Sequence, residues 1–191
     1  GSGMYQVNRT KYSETLRALA DNQVDGAGSL TGAGSGYDPR FAFAYAASTK
    51  GPNLNGKYPA NNFAANSENC TLFYLRLSEI YLIHAEAEAR KAGGNLEDAV
   101  TSLNTIRVRA GVDEFEVSDK ATLLNQIRQE KMLELFFENG ESWFDLVRYD
   151  RLGDISAFAE KASFTSTTQF ILPIPLNVLT ANTLLVKNPG Y

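Results

Sequence analysis

The change in residue pattern near residue 70 is the feature that most constrains the fold. After it, apolar residues recur every three or four positions and glycines interrupt the pattern at intervals typical of helix ends. Before it, residues 21–36 and 53–69 are rich in glycine, serine and asparagine and have no helical period. The sequence therefore predicts a loop-rich segment over residues 4–70, with a short strand and helix, and a mostly helical region over residues 71–191.

Four helices are predicted in the helical region. The first covers about residues 75–92, with Ile80, Ile83 and Ala87 on one apolar stripe and Leu82 beside it. The second begins at the N-cap Asn95 and ends at Gly111, the third runs from about residue 118 or 119 to 140, and a short fourth surrounds Trp143. Successive helices of this kind form two helical hairpins, but the consensus of a standard tetratricopeptide repeat is absent.

Four further segments have an interpretation from sequence. Residues 1–3 resemble a cloning scar, and we leave them out of the fold argument. The alternation over residues 41–45 predicts a short strand. Residues 170–175 carry two prolines, which block a helix and predict an extended segment, and the Asn188-Pro189-Gly190-Tyr191 end predicts a turn.

Composition excludes several classes of protein. The net charge is −4, from 18 basic and 22 acidic side chains, which argues against a general nucleic-acid binder. The single cysteine, Cys70, cannot form an internal disulfide. The single histidine, His84, excludes a multi-histidine metal site, and its place within a helix predicts a packed or capped side chain. The glycines of residues 26–36 lack the Gly-Lys-Ser/Thr of a phosphate loop, so we assign no nucleotide and expect no cofactor.

Acidic residues on the third helix are the first candidate for chemistry. Glu130, Glu134 and Glu138 recur every fourth residue and share one face, which Asp145 could approach from the next helix. Such carboxylates can act in glycoside hydrolysis or hold a divalent metal. The favoured interpretation is structural, with no catalytic residue and no metal. Four arginines of the same hairpins would neutralise the carboxylates between packed helices. They are Arg107, Arg109, Arg128 and Arg148.

Aromatic residues in the loop-rich segment are the second candidate. Tyr37, Tyr45 and Tyr58 lie there with several phenylalanines, and no helical core period explains them. Aromatic faces stack on the apolar faces of sugar rings. Each ring could instead pack the loops onto the helices, so the prediction is that at least one of the three tyrosines contacts a ligand.

The order of motifs resembles the SusD/RagB family, the surface glycan-binding lipoproteins of Bacteroidetes. The matching stretches are residues 75–87, 103–111, 127–135, 143–148, 172–175 and 188–191, with Asp38-Pro39-Arg40 upstream. Two departures are Lys131, where the family usually has arginine, and the run Glu138-Asn139-Gly140-Glu141-Ser142-Trp143, where it has Glu-Gly-Arg-Arg-Trp. Since lysine lacks a bidentate fork, we expect one weaker interhelix ion pair. Family members are longer, and this chain resembles their C-terminal portion.

The resemblance implies a mostly α fold of tetratricopeptide-like helical hairpins, an α-α superhelix, with a loop-rich, minor-β ligand face. It implies a protein that is not an enzyme, which captures oligo- or polysaccharides for uptake and works with a TonB-dependent outer-membrane transporter of the SusC type. It also implies an outward-facing place on the outer membrane, held through a lipid anchor that lies outside this chain.

Two other functions stay open at this point. A helical protein-interaction scaffold would bind the transporter without any glycan. A glycoside hydrolase would use Glu134, Glu138 or Asp145.

Overall fold

The computed structural model describes residues 38–40, 73–117, 119–136, 138, 140–161 and 163–191. These ranges are mostly helical and contain no β-strand, so the predicted mostly α class is confirmed. The helices are α1 (Leu77–Arg90), α2 (Leu96–Ala110), α3 (Lys120–Glu134), α4 (Glu141–Leu152), α5 (Ala157–Glu160) and α6 (Leu176–Ala181), with a 3₁₀ helix at Thr167–Phe170. The predicted strand over residues 41–45, the glycine-rich stretch and Cys70 lie outside the described residues.

Local capping fixes the ends of α2 and the start of α3. The side-chain oxygen of Asn95 accepts a hydrogen bond from the backbone N–H of Glu97, as predicted. Gly111 ends α2 in the left-handed conformation, at φ 74°. Asp119 caps α3 by accepting from the N–H of Thr122. α3 ends at Glu134, earlier than the predicted residue 140, because Leu135 leaves the helical conformation at φ −98° and ψ 15°.

A small apolar core joins the first three helices. α1 and α2 are linked by a turn over residues 91–95, and both pack with α3. Leu82 and Ala85 of α1, Leu103 of α2, and Leu123 and Ile127 of α3 are fully buried there. The three helices therefore share one buried apolar cluster.

The apolar stripe predicted for α1 is not the face that packs. Ile80 and Ile83 are about half exposed, at 50% and 47%, and Ala87 is exposed. Leu82 lies in the core instead, with Ala85 and Ala89. The sequence misleads here because small alanines let α1 approach α2 and α3 closely, while the larger isoleucines lie on the opposite side of the helix.

Residues 145–191 form a second compact unit, and residues 1–144 form the first. Within the second unit, Phe158, Phe164 and Phe170 make ring contacts with centroids 5.5–6.5 Å apart. Residues 172–175 lack regular secondary structure, in agreement with the two prolines, and Pro175 precedes α6. Asn188 donates to the carbonyl of Leu172 at 2.7 Å and holds the C-terminal turn in place.

Residue 190 must be a glycine for two reasons, its positive φ and its close contact with Thr168. It lies at φ 92°, and a Cβ placed there would come within 2.5 Å of the Thr168 hydroxyl oxygen. Gly153 also has a positive φ, 77°, but a Cβ there would meet no atom within 4 Å.

We expect Gly190→Ala to destabilise the second unit more than Gly153→Ala does. Gly153→Ala should cost about 1 kcal/mol, the usual strain of a left-handed alanine. Gly190→Ala adds the clash with Thr168 and should exceed it by about 1–2 kcal/mol. Thermal unfolding followed by circular dichroism measures both variants. Equal losses would contradict the close contact.

Each helix within the described ranges is too short or too polar to cross a membrane.

Candidate functional site

The three glutamates predicted to share one face are all buried. The side chains of Glu130, Glu134 and Glu138 are 0%, 2% and 9% exposed. Glu130 and Glu134 lie in the last turns of α3, and Glu138 follows in the turn before α4. Buried carboxylates need partners that replace water, and arginines from three other parts of the chain provide them here.

Glu130 lies between two guanidinium groups. Its Oε1 accepts from Nη1 of Arg40 at 2.5 Å, and its Oε2 accepts from Nη1 of Arg107 on α2 at 2.9 Å. Arg107 also donates through Nε to the carbonyl of Asp113, at 2.7 Å, which fixes its side chain against the loop after α2. Both carboxylate oxygens of Glu130 are therefore engaged in ion pairs.

Glu134 has three arginine partners. Arg40 Nη1 approaches its Oε2 at 3.1 Å, and Arg109 Nη2 approaches its Oε1 at 2.6 Å. Arg76, which directly precedes α1, forms a short ion pair with the same Oε1 and donates to the backbone carbonyl of Glu134. Glu134 thus joins the start of α1 and the end of α2 to the end of α3.

Arg76 holds Glu138 as well as Glu134. Its Nε and Nη2 donate to the two carboxylate oxygens of Glu138 at 2.6 and 3.0 Å, in the bidentate geometry that suits guanidinium and carboxylate. Its Nη1 also donates to the Ser78 hydroxyl at 2.6 Å. One side chain therefore fixes the turn after α3 to the start of α1.

Arg40 ties the short segment of residues 38–40 to this cluster. Asp38 accepts from the backbone N–H of Arg40 at 2.8 Å and from its Nε and Nη2 at 3.1 and 2.6 Å. The Arg40 side chain is 14% exposed. The charges compensate, since four carboxylates face four guanidinium groups. We call this set the arginine–glutamate cluster, and its members are Asp38, Arg40, Arg76, Arg107, Arg109, Glu130, Glu134 and Glu138.

The electrostatics of the cluster favour the ionised forms of Glu134, Arg40 and Arg76. Burial acts to raise the pKa of Glu134, but the hydrogen bond and charge of Arg76, together with Arg40 and Arg109, lower it to about 2. Burial acts to lower the pKa of Arg40, and Asp38 and Glu130 outweigh it so that this pKa is raised. The pKa of Arg76 is raised in the same way, against burial, by Glu138 and Glu134.

This arrangement stabilises structure and is unsuited to the chemistry that the carboxylates first suggested. A general acid at neutral pH needs a raised pKa, and that of Glu134 is lowered. Arginines occupy the carboxylate oxygens that a divalent cation would need. Within the described ranges, no group of three or more His, Cys, Asp or Glu side chains is arranged to hold a metal ion.

The pH dependence of the free energy of unfolding should report the protonation of the Glu134 carboxylate. Its folded pKa of about 2 lies below the unfolded value of 4.5, so its contribution is complete above pH 4.5 and is lost as the pH falls toward 2. A shift of this size corresponds to about 3 kcal/mol. Urea unfolding between pH 6 and pH 2.5 should show this loss in the wild type. The free energy of unfolding of the Glu134→Gln variant should depend less on pH over this range. Equal losses in the wild type and the variant would contradict the lowered pKa of Glu134.

Part of this cluster was predicted from sequence. Arg107 and Arg109 contact Glu130 and Glu134, as expected. Arg148 pairs with Asp145 at 2.8 Å, and Arg128 donates to Asn125 Oδ1 at 3.0 Å. Lys131 is buried on α3, and the weaker ion pair expected from it stays a prediction.

Arg40 and Arg76 were not predicted from sequence to be partners of the glutamates. The sequence pattern around each of them is weak, because each is a single cation beside an apolar or turn-forming run.

His84 is a surface side chain with a structural hydrogen bond. Its Nδ1 lies 2.8 Å from the Ser102 hydroxyl of α2, and its Nε2 lies 3.8 Å from a carboxylate oxygen of Glu88. The side chain is 54% exposed. It therefore links α1 to α2, which agrees with the expected structural role although the ring is more exposed than a packed histidine.

The described residues include an open groove along α2. Its volume is about 460 Å³, and its lining residues are Glu97, Val100, Thr101, Asn104, Thr105, Val108 and Glu114. The Thr101 and Thr105 hydroxyls donate to helix carbonyls, and Asn104 is bonded to the backbone of Phe115. The lining lacks an aromatic ring, so the groove has no stacking surface for a sugar. The predicted ligand tyrosines Tyr37, Tyr45 and Tyr58 lie outside the described residues.

Comparison with models of protein families identifies the family of this chain. The model of the SusD family matches residues 4–191, and the chain belongs to that family. No curated protein matches the chain.

Solved structures similar to this chain include two SusD-type proteins. A SusD superfamily protein from Parabacteroides distasonis is 26% identical with a TM-score of 0.53, over 71% of this chain and 30% of that one. A SusD-like protein from Bacteroides fragilis is 21% identical with a TM-score of 0.51, over 82% of this chain and 39% of that one, and shows a shared fold. The chain thus spans 30–39% of the length of these structures.

Proposed function

We propose that this chain is part of a non-catalytic glycan-binding subunit of an outer-membrane polysaccharide uptake system. The observation that carries the proposal is the family match over residues 4–191. Members of this family bind glycans in Bacteroidetes and are not catalytic. The chain spans less than half of the similar solved structures, so the activity of the whole protein is part of the proposal.

The arginine–glutamate cluster supports binding over hydrolysis. A glycoside hydrolase needs one carboxyl group with a raised pKa and a second one open to the sugar. Glu134 has a lowered pKa and is 2% exposed, and Glu138 is 9% exposed and bound by Arg76 through both oxygens. Both residues therefore lack the access that acid catalysis requires, and Glu134 also lacks the raised pKa.

The ligand contacts are proposed to come from the loop-rich segment of residues 4–70. Its tyrosines Tyr37, Tyr45 and Tyr58 offer rings for sugar stacking, and asparagines nearby in the sequence offer hydrogen bonds to hydroxyl groups. The groove on α2 lacks an aromatic ring, which favours the tyrosine segment as the source of the contacts.

The proposed partner is a TonB-dependent transporter of the SusC type. The protein would lie at the outward face of the outer membrane, attached by a lipid anchor outside this chain, and pass the captured glycan to the transporter. Family membership supports this placement. The negative net charge of −4 agrees with a role that involves no nucleic acid.

Affinity gel electrophoresis with a panel of polysaccharides tests the proposal. We expect one glycan to retard the wild-type chain and to retard a Tyr37→Ala, Tyr45→Ala, Tyr58→Ala triple variant much less. Loss of at least one stacking contact should weaken binding by about two- to tenfold, by analogy with the stacking of other rings on aromatic side chains. A matched triple variant with phenylalanine at the same positions keeps the rings and should keep most of the retardation. Retardation by none of the glycans would contradict glycan binding by this chain.

Exposed apolar side chains favour a second candidate function, a protein-interaction scaffold. Phe73, Tyr74, Leu75 and Leu77, at the start of α1, are 54–76% exposed. A scaffold would bind the transporter with unchanged affinity in the tyrosine triple variant and would retain no glycan. Pull-down of the transporter without any retardation in the gel panel would favour this candidate.

A further inference from the structure

One side of α1 carries apolar side chains that are open to solvent. Leu77 is 70% exposed, Ile80 and Ile83 are about half exposed, and Ala87 is exposed. These positions follow one another at intervals of three or four residues, so they lie on one side of the helix, away from Leu82 in the core. We call these four residues the apolar face of α1.

The exposed apolar surface continues before the start of α1. Phe73, Tyr74 and Leu75 are 54–76% exposed. With Leu77, Ile80 and Ile83 they make six large apolar side chains that are about half or more exposed. Such a set can supply an area of the order of the about 800 Å² per partner that a stable protein interface buries. Single exposed leucines are common on protein surfaces, but a set this close together marks an interaction surface.

A buried carboxylate without a donor borders the apolar face. Glu79 lies in the first turn of α1, one helical turn before Ile83, and is 7% exposed. Among the residues that the structure describes, none donates a hydrogen bond or forms an ion pair with its side chain, whereas Glu86, two turns later, is bound by Arg90 at 2.6 Å. A buried carboxylate costs free energy unless a cation replaces the water it has lost. The surface beside the apolar face therefore calls for a positive charge.

A cation that suits Glu79 lies at the other end of the same helix. Arg90 comes 11 residues after Glu79, which is about three helical turns and about 16 Å, so both residues border the same edge of the apolar face. Arg90 is 24% exposed and bonds Glu86 through Nε. Since a guanidinium has five N–H donors, it can bind a second carboxylate. The edge thus carries a negative charge at one end and a positive charge at the other.

We propose that the apolar face of α1 is the interface of a symmetric dimer, in which α1 packs antiparallel against α1 of a second copy. A two-fold axis across two antiparallel helices brings the same edge of both faces together, so Glu79 of each copy comes opposite Arg90 of the other. Ile80 then lies opposite Ala87, whose small side chain leaves room for it. One pairing covers the apolar face and gives the buried carboxylate its cation.

Sedimentation equilibrium tests for the dimer without any glycan, so its outcome is separate from that of the proposed function. We expect the wild-type chain to reach twice the monomer mass. The double variant Ile80→Glu, Ile83→Glu should raise the dissociation constant of the dimer at least tenfold, because it places charges in the apolar contact. Both side chains are about half exposed, so the variant should keep its fold, which circular dichroism checks. Val108→Glu, at a 57% exposed position of α2, is the matched control and should leave the dimer unchanged.

Cysteine cross-linking tests the antiparallel pairing. In a Cys70→Ser background, His84→Cys should form a disulfide with its own copy, because the pairing places residue 84 at the two-fold axis. Leu77→Cys should not link to itself, since its two copies lie about 20 Å apart and a disulfide needs Cα atoms within about 7 Å. An equal mixture of Leu77→Cys and Lys91→Cys chains should form the mixed disulfide.

The charge pair has its own test. Glu79→Gln should raise the dissociation constant of the dimer at least threefold. Glu97→Gln, an exposed position in the first turn of α2, should leave it unchanged. A wild-type chain that is monomeric at every concentration tested, or a double isoleucine variant that dimerises as well as wild type, would overturn the proposal. Self-linking of Leu77→Cys in place of His84→Cys, or an unchanged dimer in Glu79→Gln, would overturn the antiparallel pairing.

Discussion

Glu134→Gln is expected to lower the free energy of unfolding by about 3–5 kcal/mol, the usual cost of removing one member of a buried ion pair. The carboxylate is 2% exposed and pairs with Arg40, Arg76 and Arg109. Glutamine has nearly the same shape, so the loss comes from charge and hydrogen bonding and leaves packing almost unchanged. Urea unfolding at pH 7, followed by circular dichroism, measures it.

Glu114→Gln is the matched control for this substitution. Glu114 is exposed in the loop after α2, and the same change there should alter stability by less than about 0.5 kcal/mol. A double-mutant cycle between Glu134→Gln and Arg76→Met should give a coupling energy of more than about 1 kcal/mol. Additive losses, or a cost below 1 kcal/mol for Glu134→Gln, would contradict the structural role of the cluster.

Leu103→Ala is expected to cost about 2–5 kcal/mol, because it opens a cavity where α1, α2 and α3 meet. The leucine is fully buried, in contact with a core that includes Leu82 and Ile127. Val108→Ala on the same helix provides the control. Val108 is 57% exposed and its replacement should cost less than about 0.5 kcal/mol. Similar unfolding midpoints for the two variants would mean that the three helices do not share this core.

Both ends of α2 and the start of α3 could be predicted from sequence because local chemistry determines them. Asn95, Gly111 and Asp119 each act through atoms within four residues of their own position. The buried face of α1 could not be predicted in the same way. Two apolar stripes were available, and the choice between Ile80 with Ile83 and Leu82 with Ala85 depends on the neighbouring helices.

The arginines that bind the glutamates show the same difference between contacts that sequence predicts and contacts that depend on the tertiary fold. Arg107 and Arg109 lie in the same two hairpins as the glutamates, and charge alone predicted their contacts. Arg40 and Arg76 lie 90 and 58 residues from the carboxylates that they bind. Sequence separation of that size carries no pattern, so these contacts depend on the tertiary fold. The predicted ligand tyrosines, which lie outside the described residues, stay predictions.

We propose that this chain binds a glycan without cleaving it. Incubating the wild-type chain with the glycan identified in the gel panel, and measuring bound glycan and new reducing ends over time, tests both parts of the claim together. We expect saturable binding and no rise in reducing ends above the protein-free control. A steady rise in reducing ends that disappears in a folded Glu134→Gln or Glu138→Gln variant would contradict the claim and establish a hydrolase.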